Sequence, residues 1–266
     1  SGFTGGQINA VTKSGTNEFD GLVRYFGRNE NFTGDLDGEG TGAFSRQYFI
    51  GNIGGPIIED ELFFFVNAEY VTQKNPLNTG VGPGPNNFQI PNTDTEAYLN
   101  EVADITQNIY GYNPGGTSRL SQIQDSYKVL AKLDWNLNDN NRLTLRHNYV
   151  RGLDDAGIGR GEDSFGFSSR QYQFTSIQNS SVLQLNTTLG DNMYNEARVV
   201  YTRIRDSRDI GNEAFADVLI EADSDGEIEL GPGRFNQANR LDQDLVEITN
   251  DFSYIRRVFI HDGTVF

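Results

Sequence analysis

The residues best suited to holding a ligand lie in Glu221-Ala222-Asp223-Ser224-Asp225-Gly226-Glu227-Ile228-Glu229. Asp223, Asp225 and Glu227 alternate as they would at the start of a calcium loop, with Gly226 at the sharp turn, and calcium is the one cofactor the residues suggest. The bidentate Glu needed at the twelfth position of such a loop is replaced by Pro232, so a solvated acidic loop is the competing reading. Asp35, Asp37 and Glu39 form a second, sparser acidic cluster with the same alternative. Gly157-Ile158-Gly159-Arg160-Gly161 has no strand before it and no helix after it, and reads as a flexible loop rather than a phosphate cradle. His147 and His261 lie far apart without ligand-spaced partners. No Gly-x-Ser-x-Gly elbow and no acid–base carboxylate pair stands out, so no catalytic residue is assigned and an enzyme is not expected.

Composition narrows the class. The 266 residues hold 21 Lys+Arg against 37 Asp+Glu, a formal charge of −16, with no Cys. Such acidity argues against a nucleic-acid partner, which requires a basic face to displace counterions. The lack of Cys excludes disulfides, Cys-ligated zinc and a thiol nucleophile. No apolar run approaches the roughly 18 residues of a membrane-spanning helix, but a transmembrane β-barrel needs only alternation.

Alternation dominates the chain. Tyr127, Val129, Ala131, Leu133, Trp135 and Leu137 interleave with Lys128, Leu130, Lys132, Asp134 and Asn136. After the turn residues Asn138-Asp139-Asn140-Asn141, Leu143, Leu145, His147 and Tyr149 oppose Arg142, Thr144, Arg146 and Asn148. Residues 62–71, 173–189, 194–204 and 244–254 follow the same rule, and 18–28 and 44–53 do so less cleanly. That gives about eight strands, with a ninth expected from Val258. Short connections near Gly54–Asp60, Asn138–Asn141, Gly190–Asn192 and Ile255–Arg257 alternate with long ones at about 29–43, 74–124, 153–170 and 206–240. This alternation suits an antiparallel up-and-down transmembrane β-barrel, with short turns at the periplasmic end and long loops outside. One face of the strands is apolar with Tyr and Trp at its ends, as interfacial girdles require. The other carries Lys128, Lys132, Asp134, Arg146, Glu196, Arg198 and Glu247. A soluble β-sandwich with edge tyrosines is the competing reading. One short helix is expected inside the longest loop, as a lid or as a brace for that loop. Thr93-Asp94-Thr95-Glu96 would be its capping box, Tyr98, Val102, Ile105 and Ile109 its apolar stripe, and Gly111 its stop.

The segment from Gly5-Gly6-Gln7-Ile8-Asn9 through Thr12-Lys13-Ser14-Gly15-Thr16-Asn17 to Gly21 resembles the junction of plug and barrel in TonB-dependent outer-membrane receptors, closest to the Oar-like branch. Gly51-Asn52-Ile53-Gly54-Gly55-Pro56-Ile57-Ile58 with Phe63-Phe64-Phe65, Ile109-Tyr110-Gly111-Tyr112-Asn113-Pro114-Gly115, and Leu241-Asp242-Gln243-Asp244 fit the same branch in the same order. The resemblance implies a barrel of about 22 strands with a plug inside it. On that basis residues 1–16 are the end of the plug, with its last strand near Gln7–Lys13, and residues 17–266 are the first part of the barrel. The implied partners are the chain's own plug and further barrel strands, the TonB complex reached through an upstream region, outer-membrane lipid and an unknown extracellular ligand. The implied function is import of a scarce or bulky ligand across the bacterial outer membrane. The alternative is a cell-surface β-rich adhesin or structural protein without transport.

Overall fold

The computed structural model describes the chain outside residues 1–11, 34–43, 78, 85, 212, 223–225, 237–238, 257–259, 262–263 and 266. Its elements in order are β1 (Asp20–Asn29), β2 (Ser45–Ile58), β3 (Leu62–Pro76), α1 (Thr95–Tyr110), β4 (Ser121–Asn138), β5 (Asn141–Ala156), β6 (Ser164–Gly166), β7 (Tyr172–Leu189), β8 (Met193–Asp209), β9 (Val218–Ala222), β10 (Gly226–Leu230), β11 (Arg240–Tyr254), β12 (Ile260–His261) and β13 (Thr264–Val265). Eight of these form one antiparallel meander in the order β1-β2-β3-β4-β5-β7-β8-β11. The eight expected wall strands are all present. The sheet is open, and among the described residues β1 and β11 each pair on one side only. Val258, where the ninth strand was expected to begin, lies outside the described residues. Beyond it, among the described residues, the backbones of β12 and β13 pair with each other alone. Of the expected plug strand, residues 7–11 lie outside the description, and Thr12 and Lys13 are irregular.

The two faces of the wall separate as the sequence alternates. The register Trp135↔Leu143, Leu143↔Leu185 and Leu185↔Ala197 puts the apolar stripes of β4, β5, β7 and β8 on one side. Val129, Leu133, Trp135, Leu145, Leu183, Val199 and Ile248 are all exposed there. Phe65, Asp134 and Val182 are buried and share the opposite side. From Tyr127 to Leu137 the stripe extends about 33 Å along the strand, or about 25 Å along the normal at a 40° tilt, which is the height of an outer-membrane apolar belt. Its upper border is a row of contacting rings. Tyr25–Phe49, Phe49–Tyr70 and Tyr70–Tyr127 have centroids 4.7, 6.2 and 4.6 Å apart across four consecutive strands. No described helix is long and apolar enough to cross a membrane.

The connections depart from expectation in two ways. The short one at Gly54–Asp60 is narrower, because β2 runs to Ile58 with a bulge between Pro56 and Ile58, where a residue lacking an N–H is tolerated. The long loops carry more structure than one helix. β6, β10 and β9 form a three-stranded sheet. Phe88, Ile90, Leu99, Phe165, Phe167, Ile228 and Leu230, from three different loops, bury one another in a separate core. Helix α1 covers it. Its N-cap is Asp94 rather than Thr93, with the Asp94 carboxylate accepting from the Ala97 N–H at 3.2 Å, and it stops at Gly111 with φ of 70°. Its buried face is Thr95, Leu99 and Thr106, flanked by Tyr98, Val102 and Ala103, whereas Ile105 and Ile109 of the expected stripe are exposed.

Candidate functional site

The N-terminal segment reaches the wall from its inner side, and glycine makes this possible. A Cβ on Gly15 would lie 2.2 Å from the Phe64 carbonyl oxygen and 2.8 Å from that of Gly55. The bare backbone of Gly54-Gly55 on β2 receives it, and a Cβ on Gly54 would approach Gly15 Cα to 3.4 Å. Two motifs far apart in sequence are thus the two halves of one backbone contact. Beyond it, Asn17 locks the β2–β3 turn. Its side-chain oxygen accepts from the Asp60 N–H at 2.8 Å, and its amide donates to the Asp60 carboxylate. Lys13 pairs with Asp20 and lies 5.8 Å from the centroid of the Phe65 ring.

Just inside that junction a polar cluster faces the lumen. Lys132 Nζ donates to Ser14 Oγ at 2.8 Å and pairs with Asp134 at 3.3 Å. Asp134 also takes Arg142 Nη2 at 3.1 Å and the Thr144 hydroxyl at 2.8 Å. It is only 2% exposed, so it is a buried and fully partnered carboxylate, not the hydrated lumen charge that alternation suggests. Thr12 and Ser14 join Lys132, Asp134, Arg142, Arg146 and Arg198 around a cavity of about 500 Å³. Arg146 also lines a neighbouring cavity of about 450 Å³ with Glu69 and Lys128. Alternation put the charged groups on one face. Ser14 read only as a turn residue, and nothing local tied it to β4.

The acidic candidates fall differently. Asp223 and Asp225 lie outside the described residues, as do Asp35, Asp37 and Glu39. Glu227 is exposed on β10, opposite Glu221 and Ser164. Gly226 pairs with Ala222 in the β9–β10 ladder, and Ile228 and Leu230 beyond it are core, so residues 226–230 form a strand rather than a solvated loop. Among the described residues no three Asp, Glu or His side chains group as metal ligands. His147 lies on the outward face, its Nδ1 2.8 Å from Ser181 Oγ, so each satisfies the other beside lipid. His261 lies on β12.

The glycine-rich loop at 157–161 is pinned rather than flexible. Arg160 donates to the carbonyls of Ser118, Gly166 and Gly116 at 2.7, 3.0 and 3.4 Å, and its guanidinium lies 4.3 Å from the centroid of the Phe165 ring. Burial pushes its pKa down to about 10. Arg170 joins the loops a second time, with Nη1 2.8 Å from Asp217 and Nε 3.1 Å from Glu229. The Arg234 backbone N–H, then the Arg170 side chain, holds Asp217 below the usual carboxylate range against the opposing effect of burial. The motif around Gly111 has its explanation here as well. Tyr112 stacks on Phe215 at 4.1 Å, Pro114 is fully buried, and a Cβ on Gly115 would strike Ser168.

A strictly sequential antiparallel meander, apolar outside, charged inside, with short turns at one end and structured loops at the other, is the wall of a transmembrane β-barrel. The chain belongs to the family described as outer membrane beta barrel domain, whose model matches residues 11–241. It is a protein of the bacterial outer membrane. Searches of curated proteins and of solved structures give no match.

Proposed function

We propose that this chain forms part of a TonB-dependent outer-membrane receptor that imports a scarce or bulky ligand, with residues 1–16 as the end of its plug and the rest as barrel wall. The observation that carries the reading is the approach of residues 12–17. They meet the wall from the lumen, with Lys132 on Ser14 and Gly15 seated on Gly54-Gly55. A chain crossing from an internal plug into the first wall strand has to take that route, whereas an adhesin barrel has no need of it. Ligand would be caught by the folded outer loops and pass the charged lumen face once the periplasmic partner pulls the plug. No bond is made or broken in the ligand.

The test is capture of the periplasmic domain of TonB by the full-length protein in native outer membranes, by site-specific photo-crosslinking. Crosslinking that depends on the protein's N-terminal region is the expected result. Absence of crosslinks, together with loss of surface attachment when the gene is deleted, would replace this reading with the adhesin one.

A further inference from the structure

We infer that the lumen carries an anion-binding track, and that the ligand presents several phosphate or carboxylate oxygens. This rests on the importer reading and names its substrate class. The chain is strongly acidic, with 37 Asp+Glu against 21 Lys+Arg, yet the cavity beside the junction is lined by Lys132, Arg142, Arg146 and Arg198 against the single carboxylate of Asp134. Three of these cations are engaged: Lys132 and Arg142 with Asp134, Arg198 with Glu196. Arg146 is not. Among the described residues no hydrogen bond or ion pair engages its side chain, although it lines both lumen cavities. Arg198 Nε is buried and has no acceptor. A buried donor without a partner is costly unless something else supplies the acceptor.

A second site lies nearer the outer ends of the strands. Arg28 and Arg46 are directly opposed on β1 and β2, on the inner face, and line a cavity of about 350 Å³ with Tyr48. Like charges directly opposed across a ladder repel. Neither has a carboxylate within ion-pair distance among the described residues; Arg28 only lies 5.4 Å from the centroid of the Phe44 ring. Arginine donors in a fork match phosphate and carboxylate oxygens two at a time, so the opposed Arg28 and Arg46, and Arg146 and Arg198 around the shared inner cavity, would suit an anion with more than one such group.

The experiment is calorimetric titration of the full-length, detergent-solubilised protein with inorganic pyrophosphate and, separately, with citrate, at fixed ionic strength. One or both should bind at a defined stoichiometry. Arg146→Gln should weaken binding at least tenfold and Arg146→Lys by less, while both keep the heat-modifiable gel mobility of a folded barrel. Arg234→Gln, in the outer loops, should bind as the wild type does. No binding of either anion, or equal losses in Arg146→Gln and Arg234→Gln, would overturn the anion track. No energising partner is present in the titration, so such a failure leaves the importer reading intact, and a failure of TonB capture leaves the anion site intact.

Discussion

Lys132 and Ser14, 118 positions apart, are joined by a 2.8 Å hydrogen bond on the inner face of the wall. The bond ties the N-terminal segment to the fourth wall strand, next to a buried carboxylate that holds the same lysine. Whatever moves residues 12–17 must therefore disturb the charge balance around Asp134. A mechanical event at the junction is in this way linked to the electrostatics of the lumen.

Gly15→Val is expected to free the junction without unfolding the wall. Its side chain would enter the space of the Phe64 and Gly55 carbonyls, and backbone cannot give way cheaply. Overpacking of this kind costs about 1–3 kcal/mol. Trypsin cleavage after Lys13 in outer-membrane vesicles should accelerate severalfold while the heat-modifiable mobility is kept. Unchanged cleavage would mean that the contact does not hold the segment.

Asp134→Ala removes the hub of the cluster. Breaking a fully buried pair costs about 3–5 kcal/mol, but Arg142 is half exposed and can rehydrate, so a loss nearer ~2 kcal/mol is expected. The temperature at which full-length protein loses its compact gel mobility should fall. Asp134→Asn, which can still accept from Thr144, should fall less. Equal stability of all three would show that the carboxylate is not a structural hub.

The wall was legible because alternation is a local code repeated eight times. A residue such as Val129 or Lys132 announces its face from its immediate neighbours alone. The outer-loop core was not legible, because Phe88, Phe165 and Ile228 sit in short apolar fragments of three separate loops, with no period to connect them. Helix α1 was read correctly in extent but turned on its axis. Ile105 and Ile109 look like a core stripe, yet the packing partners lie on the side of Leu99 and Thr106. Alternation brought Lys132, Asp134 and Arg146 to one face, but the bond from Lys132 to Ser14 joins two segments with no local link.

Arg160→Ala should loosen the outer loops and leave the barrel assembled. Three carbonyls would lose a charged donor, worth roughly 2–3 kcal/mol in all after rehydration. Loop nicking by proteinase K on intact cells should increase, with assembly unchanged. Arg160→Lys should be intermediate, since one ammonium cannot span all three carbonyls.

Acid should loosen the same loops. The folded pKa of Asp217 lies below its unfolded value, so its stabilising contribution is complete above the ordinary carboxylate pKa of 3.8 and is lost as pH falls through the folded value. Pepsin cleavage within 206–240 should therefore rise steeply below about pH 4, beyond the protease's own pH profile on a denatured control. Asp217→Asn should already be more susceptible at the upper end of the pepsin range and should show a flatter dependence. An identical pH profile for both proteins would remove Asp217 from the account.

Neighbouring residues on β4 give the sharpest test of which face meets lipid. Ala131 pairs with Val66 and His147 on the exposed apolar side, and Lys132 pairs with Phe65 and Arg146 on the lumen side. A basic side chain on the lipid face near the midplane costs roughly 2–4 kcal/mol, and that cost falls towards the interfaces, where such a chain can reach water. Ala131 lies inside the belt bounded by Tyr127 and Leu137, so Ala131→Arg cannot escape in this way and should reduce the heat-modifiable fraction in the outer membrane. Lys132→Gln removes one partner from Asp134 but leaves Arg142 and Thr144, so it should assemble normally. Comparing the two fractions in full-length protein, at matched expression, decides the matter. Equal tolerance would mean that the faces are reversed or that β4 does not cross the membrane.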